Sequence, residues 1–382
     1  MITEKDFSHL NRFPGETGNI FDVVLHKFEV FQKIPSVVFG GMLFLFAALA
    51  YHLEWPVFLG LWGFFLFDWL LVGLLPHYQR SFGPAKPVVV ILAVLRGVVA
   101  FVLPFSFTFI LQAIGTLLVV YSFWIEPHRL GITYQKLTTP KFPSGTKLRM
   151  LHLGDLHVER ITQRERSLQG KIDFLKPDII LFSGDILNLS YRTDPTAIAH
   201  ARQIIGQWKA PLGVFLVSGS PAVDLVETIP VILQDLPVHW MEGEKKTIAW
   251  SEGKLDLIGL TCTHRPNIDG EKLKSLIPHP PENFTVLLYH SPDLAPAAAK
   301  LGVDLQLSGH THGGQVRIPG FGALVTGSLY GKLFEAGRIA VGKMVLYVTR
   351  GIGLEGAAAP RLRLFCPPEI ILWQIQGSNN PK

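Results

Sequence analysis

Between Ile34 and Ile125 the only acidic or basic side chains are Glu54, Asp68, Arg80, Lys86 and Arg96. Charge that sparse over so long a stretch excludes a disordered chain and a simple cytosolic enzyme, and it puts this part of the chain in lipid. The stretch divides into four apolar segments, Ile34–Leu53, Pro56–Leu75, Pro87–Phe105 and Ser106–Ile125. Each has about 20 residues, the length an α-helix needs to cross a bilayer core. Very short turns join the first to the second and the third to the fourth. The expectation is an all-α four-helix transmembrane domain over residues 34–125, built of two helical hairpins. Across all 382 residues the chain is 48% apolar and 17% charged, with a mean hydropathy of +0.31. Soluble globular proteins carry about 25% charged residues.

Lys and Arg near span ends stay on the cytoplasmic side. Lys27 and Lys33 precede the first segment, Arg80 and Lys86 fill the middle loop, and Arg129, Lys136 and Lys141 follow the last, whereas the tips around Glu54 and Leu103 carry none. The expected topology is multi-pass in the inner (cytoplasmic) membrane, with both termini and everything after the last span in the cytoplasm. In the N-terminal segment, residues 1–33, Phe21, Val24, Leu25, Phe28 and Phe31 fall at helical spacing. They describe an amphipathic helix lying on the membrane or packed on the soluble part. Asp68 and Arg96 lie inside spans, where an ionised group needs a partner. An interhelical ion pair that sets helix register is expected, with a transport or lipid-binding role as the other reading.

The formal charge is +5, with no Lys/Arg run interleaved with aromatics, so a nucleic-acid partner is not expected. Cys262 and Cys366 stand far apart without zinc-type spacing, which excludes a disulfide framework and fits a reducing compartment.

After Glu126 the composition changes. A linker over residues 126–146, rich in Pro, Gly, Thr and Lys, leads to alternating strand-like and helix-like segments over 147–376, with a short tail over 377–382. Predicted strands are Leu148–Leu153, Ile179–Phe182, Val214–Val217, Leu255–Leu260, Thr285–Tyr289 and Leu305–Leu307, and helical spacing marks Ala197–Trp208 and Ile229–Leu236. This is the pattern of an α/β domain. Asp155 and His157 follow the first strand, Asp185 the second, Gly219 and Ser220 the third, His290 the fifth, and His310 and His312 the sixth. Polar residues at carboxyl ends of strands line the crevice of such folds. Carboxylate with imidazole suits Mn, Fe, Zn or Co.

The order Asp-x-His, Gly-Asp, Gly-(Asn-His), His, Gly-His-x-His resembles the calcineurin-like metallophosphoesterases. It is similar above all to their membrane-associated bacterial branch, whose Gly-His-Thr-His-Gly-Gly-Gln motif stands at Gly309–Gln315. Tyr347–Gly353 and Cys366–Ile370 resemble the same branch, and the likeness runs from Lys147 to Gln374 without covering the apolar stretch. It implies a layered αββα sandwich, two β-sheets flanked by helices, holding two divalent ions of the Mn, Fe or Zn kind. Asp155, His157, Asp185 and His312 would hold the first ion, and His290 and His310 the second, with Asp185 bridging and a metal-bridging hydroxide attacking phosphorus. The branch includes phosphoesterases that split the pyrophosphate of UDP-2,3-diacylglucosamine in lipid A biosynthesis, so a lipid-linked phosphate is the implied substrate.

One motif departs from the family. Where it has Asn, a ligand to the second ion, and His, which assists the leaving group, this chain has Ser220 and Pro221. Ser220 can coordinate weakly through its hydroxyl, and Pro221 can neither bind a metal nor give a proton. Asp224 either reaches back as a replacement carboxylate or is an exposed helix cap. Loss of a general acid costs about 10²–10⁴-fold where the leaving group needs a proton. An active site of this kind therefore suits a pyrophosphate or activated diester. The alternative is a degenerate, non-catalytic metal-binding module tethered to the membrane. Arg160, Arg164 and Arg166 read either as phosphate donors or as a solvated basic face. His152, Cys262 and His264 read as structural, and Gly351–Gly353 as a loop.

Overall fold

The computed structural model describes residues 2–50, 55–103, 105–277 and 280–378. The amphipathic segment is helix α1 (Ile20–Phe28), which Asn19 caps by accepting the Asp22 N–H at 2.9 Å; a tighter turn continues it over Glu29–Lys33. The apolar stretch forms α2 (Ser36–Ala50), α3 (Trp55–Gly73), α4 (Ala85–Val102) and α5 (Phe105–Val120), the last running on through a π-turn at Tyr121–Ile125. Phe39, Leu43, Phe65, Val89 and Ala93 fill the bundle interior, while Val37, Leu49, Val98, Phe101 and Leu117 face outward. An apolar outer surface over an apolar interior fits association with a membrane.

Where the sequence predicts four spans, length and composition support two or three. Among the described residues Ala85–Val102 and Phe107–His128 are each long and apolar enough to cross a membrane. Ile20–Lys33 and Ser36–Ala50 are bent by 109° and make a third crossing only if they form one span, and the apolar helix Val57–Gly73 is shorter. Tyr51–Glu54, with the first hairpin tip, lie outside the described residues. Asp68 and Arg96 form the expected pair, with Arg96 Nε 2.6 Å and a terminal nitrogen 2.8 Å from the two Asp68 oxygens. Arg96 also donates to Gln112 and Thr116, which locks α3, α4 and α5 together.

The rest of the chain builds two six-stranded sheets. The first uses β1 (Gly131–Thr139), β2 (Lys147–Leu153), β3 (Ile179–Phe182), β4 (Val214–Leu216) and β5 (His239–Trp240). The second uses β6 (Glu244–Trp250), β7 (Gly253–Gly259), β8 (Phe284–Leu288) and β9 (Leu305–Ser308). After a small hairpin of β10 (Arg317–Ile318) and β11 (Gly322–Ala323), β12 (Gly337–Val341) and β13 (Met344–Val348) complete the second sheet, and β14 (Glu369–Gly377) returns to the first. The order is β1-β14-β2-β3-β4-β5 in one sheet and β12-β13-β9-β8-β7-β6 in the other. Strands β2 to β5 run parallel, as do β7, β8, β9 and β13. The stretch expected to be a linker is thus in part an edge strand, with Gly131–Thr139 paired in parallel to Glu369–Gly377.

Alternation along the strands sets the layers. Met150, Leu181, Phe215, Leu257, Val286, Leu307 and Trp373 meet between the sheets. Leu151, Ile180 and Phe182 turn outward onto the helices Gln163–Leu175 and Pro195–Ile205; Ile258, Leu287 and Leu346 turn outward onto Pro266–Leu276 and Ala295–Lys300. The arrangement is helix, sheet, sheet, helix, as expected. The bundle is fastened to it by buried polar contacts. Glu159 accepts from the Phe82 N–H at 2.9 Å and pairs with Arg361 at 3.0 Å, and Tyr191 donates to the Phe82 carbonyl at 2.6 Å.

Candidate metal centre

The parallel strands of both sheets end at one edge, and the residues just past those ends converge there. Asp155, His157, Asp185, His264, His310 and His312 all have left-handed backbones, with φ between 43° and 73°. Non-glycine residues in that region carry strain that concentrates at functional sites. Two glycines make the crowding possible: a Cβ on Gly219 would fall 2.0 Å from Asp185 Oδ1, and one on Gly309 would fall 2.6 Å from Asp155 Oδ1.

Asp155, His157, Asp185 and His312 form one cluster, all buried, with ligand atoms within 4.8 Å of one another. His157 Nε2 faces His312 Nε2 at 2.9 Å and lies 3.5 Å from Asp185 Oδ2. Asp155 Oδ1 accepts the His310 N–H at 2.9 Å, whereas Asp155 Oδ2 is buried with no hydrogen-bond partner. An orphaned buried carboxylate oxygen beside two imidazoles fits a cation, and the donor set suits a transition-type divalent ion.

His264, His290 and His310 form a second cluster around the Ser220 hydroxyl. Ser220 Oγ stands 3.1 Å from both His264 Nε2 and His290 Nε2 and 3.5 Å from His310 Nδ1. Asp185 Oδ2 is 3.3 Å from His290 Nε2, so this carboxylate faces both clusters. Each of two rings is fixed from behind, His290 Nδ1 by the Ser183 carbonyl at 2.9 Å and His310 Nε2 by the Gly327 carbonyl at 3.1 Å. Carbonyls placed in this way set tautomer and orientation for metal ligands.

The electrostatics ask for positive charge. Burial pushes Asp155 up to about 6 against the pull of His290. Burial also opposes charge on Asp185, but the neighbouring His290 and its hydrogen bond hold that carboxyl well below the usual range. Burial works against His290 likewise, yet Asp185 raises it to about 9. Burial takes His310 down to about 4 and His264 and His312 well below their ordinary value. Neutral imidazoles, as these three are, are the metal-competent form, which His290 would reach by giving up its proton on binding.

The structure brings together all seven residues singled out from the sequence, Asp155, His157, Asp185, Ser220, His290, His310 and His312, and adds His264, which by sequence alone reads as structural. Its signal was the place it shares with the others: it follows β7 at the same sheet edge. Asp224 is neither exposed nor aimed at the clusters. Its Oδ2 accepts the N–H groups of Asp185 at 2.9 Å and Gly219 at 2.7 Å, and Oδ1 accepts that of Ile186 at 2.9 Å. It holds the Asp185 turn, while burial and Asp185 push its carboxyl up to about 6. The arginines are committed elsewhere: Arg164 is buried in a 2.7 Å pair with Glu165 and Arg160 pairs with Asp194 at 2.9 Å. Arg166 is hydrogen-bonded to the Ile161 carbonyl at 3.5 Å. Gly351–Gly353 is a loop as expected, with the N–H of Ile352 3.1 Å from the Asp155 carbonyl.

A comparison with protein-family models finds no match. Among curated proteins the chain is similar to the uncharacterized metallophosphoesterase YkuE of Bacillus subtilis, 27% identical over 270 residues that span 68% of this chain and 90% of that one. It is similar to the phosphodiesterase YaeI of Escherichia coli, 26% identical over 67% of this chain and 92% of that one. It is also similar to the UDP-2,3-diacylglucosamine pyrophosphatase LpxG of Chlamydia trachomatis, 24% identical over 66% of this chain and 91% of that one.

Proposed function

As a member of the calcineurin-like metallophosphoesterases this chain is a metal-dependent phosphoric ester hydrolase, and we propose that its substrate is a lipid-linked phosphodiester or pyrophosphate taken from the membrane. One observation carries the substrate class. A cavity of about 880 Å³ runs from His312, Gly314 and Gln315 along Leu92, Leu95 and Val99 of α4 and Leu111 and Leu118 of α5. A groove with catalytic histidine at one end and aliphatic side chains along the other matches an amphiphile, its phosphate at the metal centre and its acyl chains between the helices. LpxG, by its name, acts on such a molecule, UDP-2,3-diacylglucosamine.

Two divalent ions, held by Asp155, His157, Asp185 and His312 and by His290, His310 and their neighbours, would neutralise charge on the phosphoryl oxygens and acidify the attacking water. Asp185 orients both halves of the site, and Asp224 fixes the turn that carries it. Pro221 supplies no proton, which favours a leaving group that is itself a phosphate. The Lys and Arg pattern supports a cytoplasmic catalytic face and, at its fullest, four crossings of the inner membrane with both termini cytoplasmic. The non-catalytic alternative has against it the complete Asp155, His157, Asp185 and His312 set and relatives named as hydrolases.

The test uses full-length protein in detergent, loaded with Mn, on UDP-2,3-diacylglucosamine and on a soluble aryl phosphodiester. Leu95→Trp and Leu118→Trp, which fill the groove, should lower kcat/KM for the lipid at least tenfold and leave the soluble diester unchanged, with His312→Ala inactive on both. Equal losses on the two substrates would refute the lipid groove.

A further inference from the structure

We infer that His264 is a protein ligand of the second metal ion, filling the coordination position that Ser220 and Pro221 leave open. The inference rests on the metallophosphoesterase reading above and concerns how this chain completes the site.

The argument begins at Ser220. Its hydroxyl lies 3.1 Å from His264 Nε2, 3.1 Å from His290 Nε2 and 3.5 Å from His310 Nδ1. One hydroxyl proton cannot serve three ring nitrogens, whereas a cation among them serves all three. His290 and His310 are turned inward by carbonyls behind their outer nitrogens, so their inner nitrogens are committed to the same point that His264 faces. The ring centroids of His264 and His310 are 4.4 Å apart, and those of His264 and His290 5.9 Å. Three convergent imidazoles with the Asp185 carboxylate beyond them form a nitrogen-rich, tetrahedral-capable set.

Two further observations set His264 apart from an ordinary core histidine. Its φ of 60° places it in the same left-handed region as Asp155, His157, Asp185, His310 and His312. No turn glycine relieves that strain, so the packing of the site must hold it. The N-terminal segment has also been shaped around the ring. Gly15, at φ 83°, passes so close that a Cβ there would fall 2.2 Å from His264 Nε2, and Glu16 beside it pairs with Arg265 at 2.7 Å.

The experiment counts metal on the full-length protein, stripped and reloaded with Mn, by elemental analysis and by the spin-coupled signal of a Mn pair. The wild type should bind two ions per chain. His264→Ala should keep the first ion at unchanged affinity, which also shows that the fold survives, while the second ion binds at least 100-fold more weakly and the coupled signal disappears. His264→Asn, which returns an amide oxygen, should recover part of that affinity. If His264→Ala binds two ions as tightly as the wild type, the inference is wrong; a fall in turnover with both ions retained would instead assign His264 to the leaving group. A wild-type chain that binds one ion overturns the two-metal reading together with the inference.

Discussion

The backbone N–H of Cys366 donates to the Glu126 carboxylate at 2.5 Å, which ties the end of the helix Phe107–His128 to the chain beside His312 in the candidate site. The same carboxylate accepts the Phe365 N–H at 2.9 Å, and Cys366 Sγ lies 3.3 Å from the His312 carbonyl. Glu126 is 1% exposed, so water cannot replace these bonds. A buried donor left without its partner costs about 1–3 kcal/mol. Glu126→Ala should therefore lower the thermal midpoint by several degrees and weaken Mn binding in parallel. A midpoint that falls with no change in metal affinity would show that the helix end and His312 are not coupled.

Most of the candidate site was legible in the sequence because each of the seven residues singled out there follows a strand. Ile179–Phe182 is the strand the sequence predicts, and β2, β4, β7, β8 and β9 differ from their predicted ranges only at the ends. Strand β1 was hidden for a physical reason: it is an edge strand whose exposed positions Tyr134, Lys136 and Thr138 all carry polar groups while its other face is only half-buried, and its partner β14 is more than 200 residues away in sequence. His264 shares the place past a strand end, but the Thr-Cys-Thr-His run beyond β7 matches no motif, so its position alone does not single it out; only the ring geometry joins it to His290 and His310. The role of Asp224 could not be read for the same reason, since its three backbone partners meet it only after folding.

Asp68 and Arg96 form the polar centre of the apolar bundle and are both buried. Removing one member of a buried pair strands the other charge, at a cost of about 3–5 kcal/mol, while replacing both by apolar residues can be neutral. Asp68→Ala should destabilise the protein strongly in detergent, and Asp68→Leu combined with Arg96→Met should recover most of the loss. Thermal unfolding of the three chains checks this. Additive losses in the double variant would mean that the two residues act independently.

Burial takes His152 down to about 3, and its Nδ1 has no hydrogen-bond partner while Nε2 lies 3.1 Å from Ser183 Oγ. An unfolded histidine titrates near 6.5. The folded state thus holds this ring neutral where the unfolded chain takes up a proton. The stability it permits is complete above about 6.5 and falls as pH drops toward 3, at about 1.4 kcal/mol per pH unit. His152→Phe should flatten the acid limb: its stability relative to the wild type should rise by about 2 kcal/mol between pH 6.5 and pH 5. Parallel curves for the two proteins over that range would rule out His152 as an acid-sensitive group.

Pro221 stands exposed beside Ser220, where the family places a histidine that assists the leaving group. A departing phosphate leaves readily as an anion, while a departing alkoxide needs a proton, and a positioned acid is worth about 10²–10⁴-fold to the second and little to the first. Pro221→His should therefore raise turnover of an alkyl phosphodiester by at least tenfold and change turnover of a pyrophosphate by less than threefold. Rates across a series of phenyl and alkyl diesters, plotted against leaving-group pKa, measure this directly. The slope should be steep for the wild type and shallower for Pro221→His. Equal slopes would mean that the proton comes from elsewhere in the site, and the preference for a phosphate leaving group would then have no basis in Pro221.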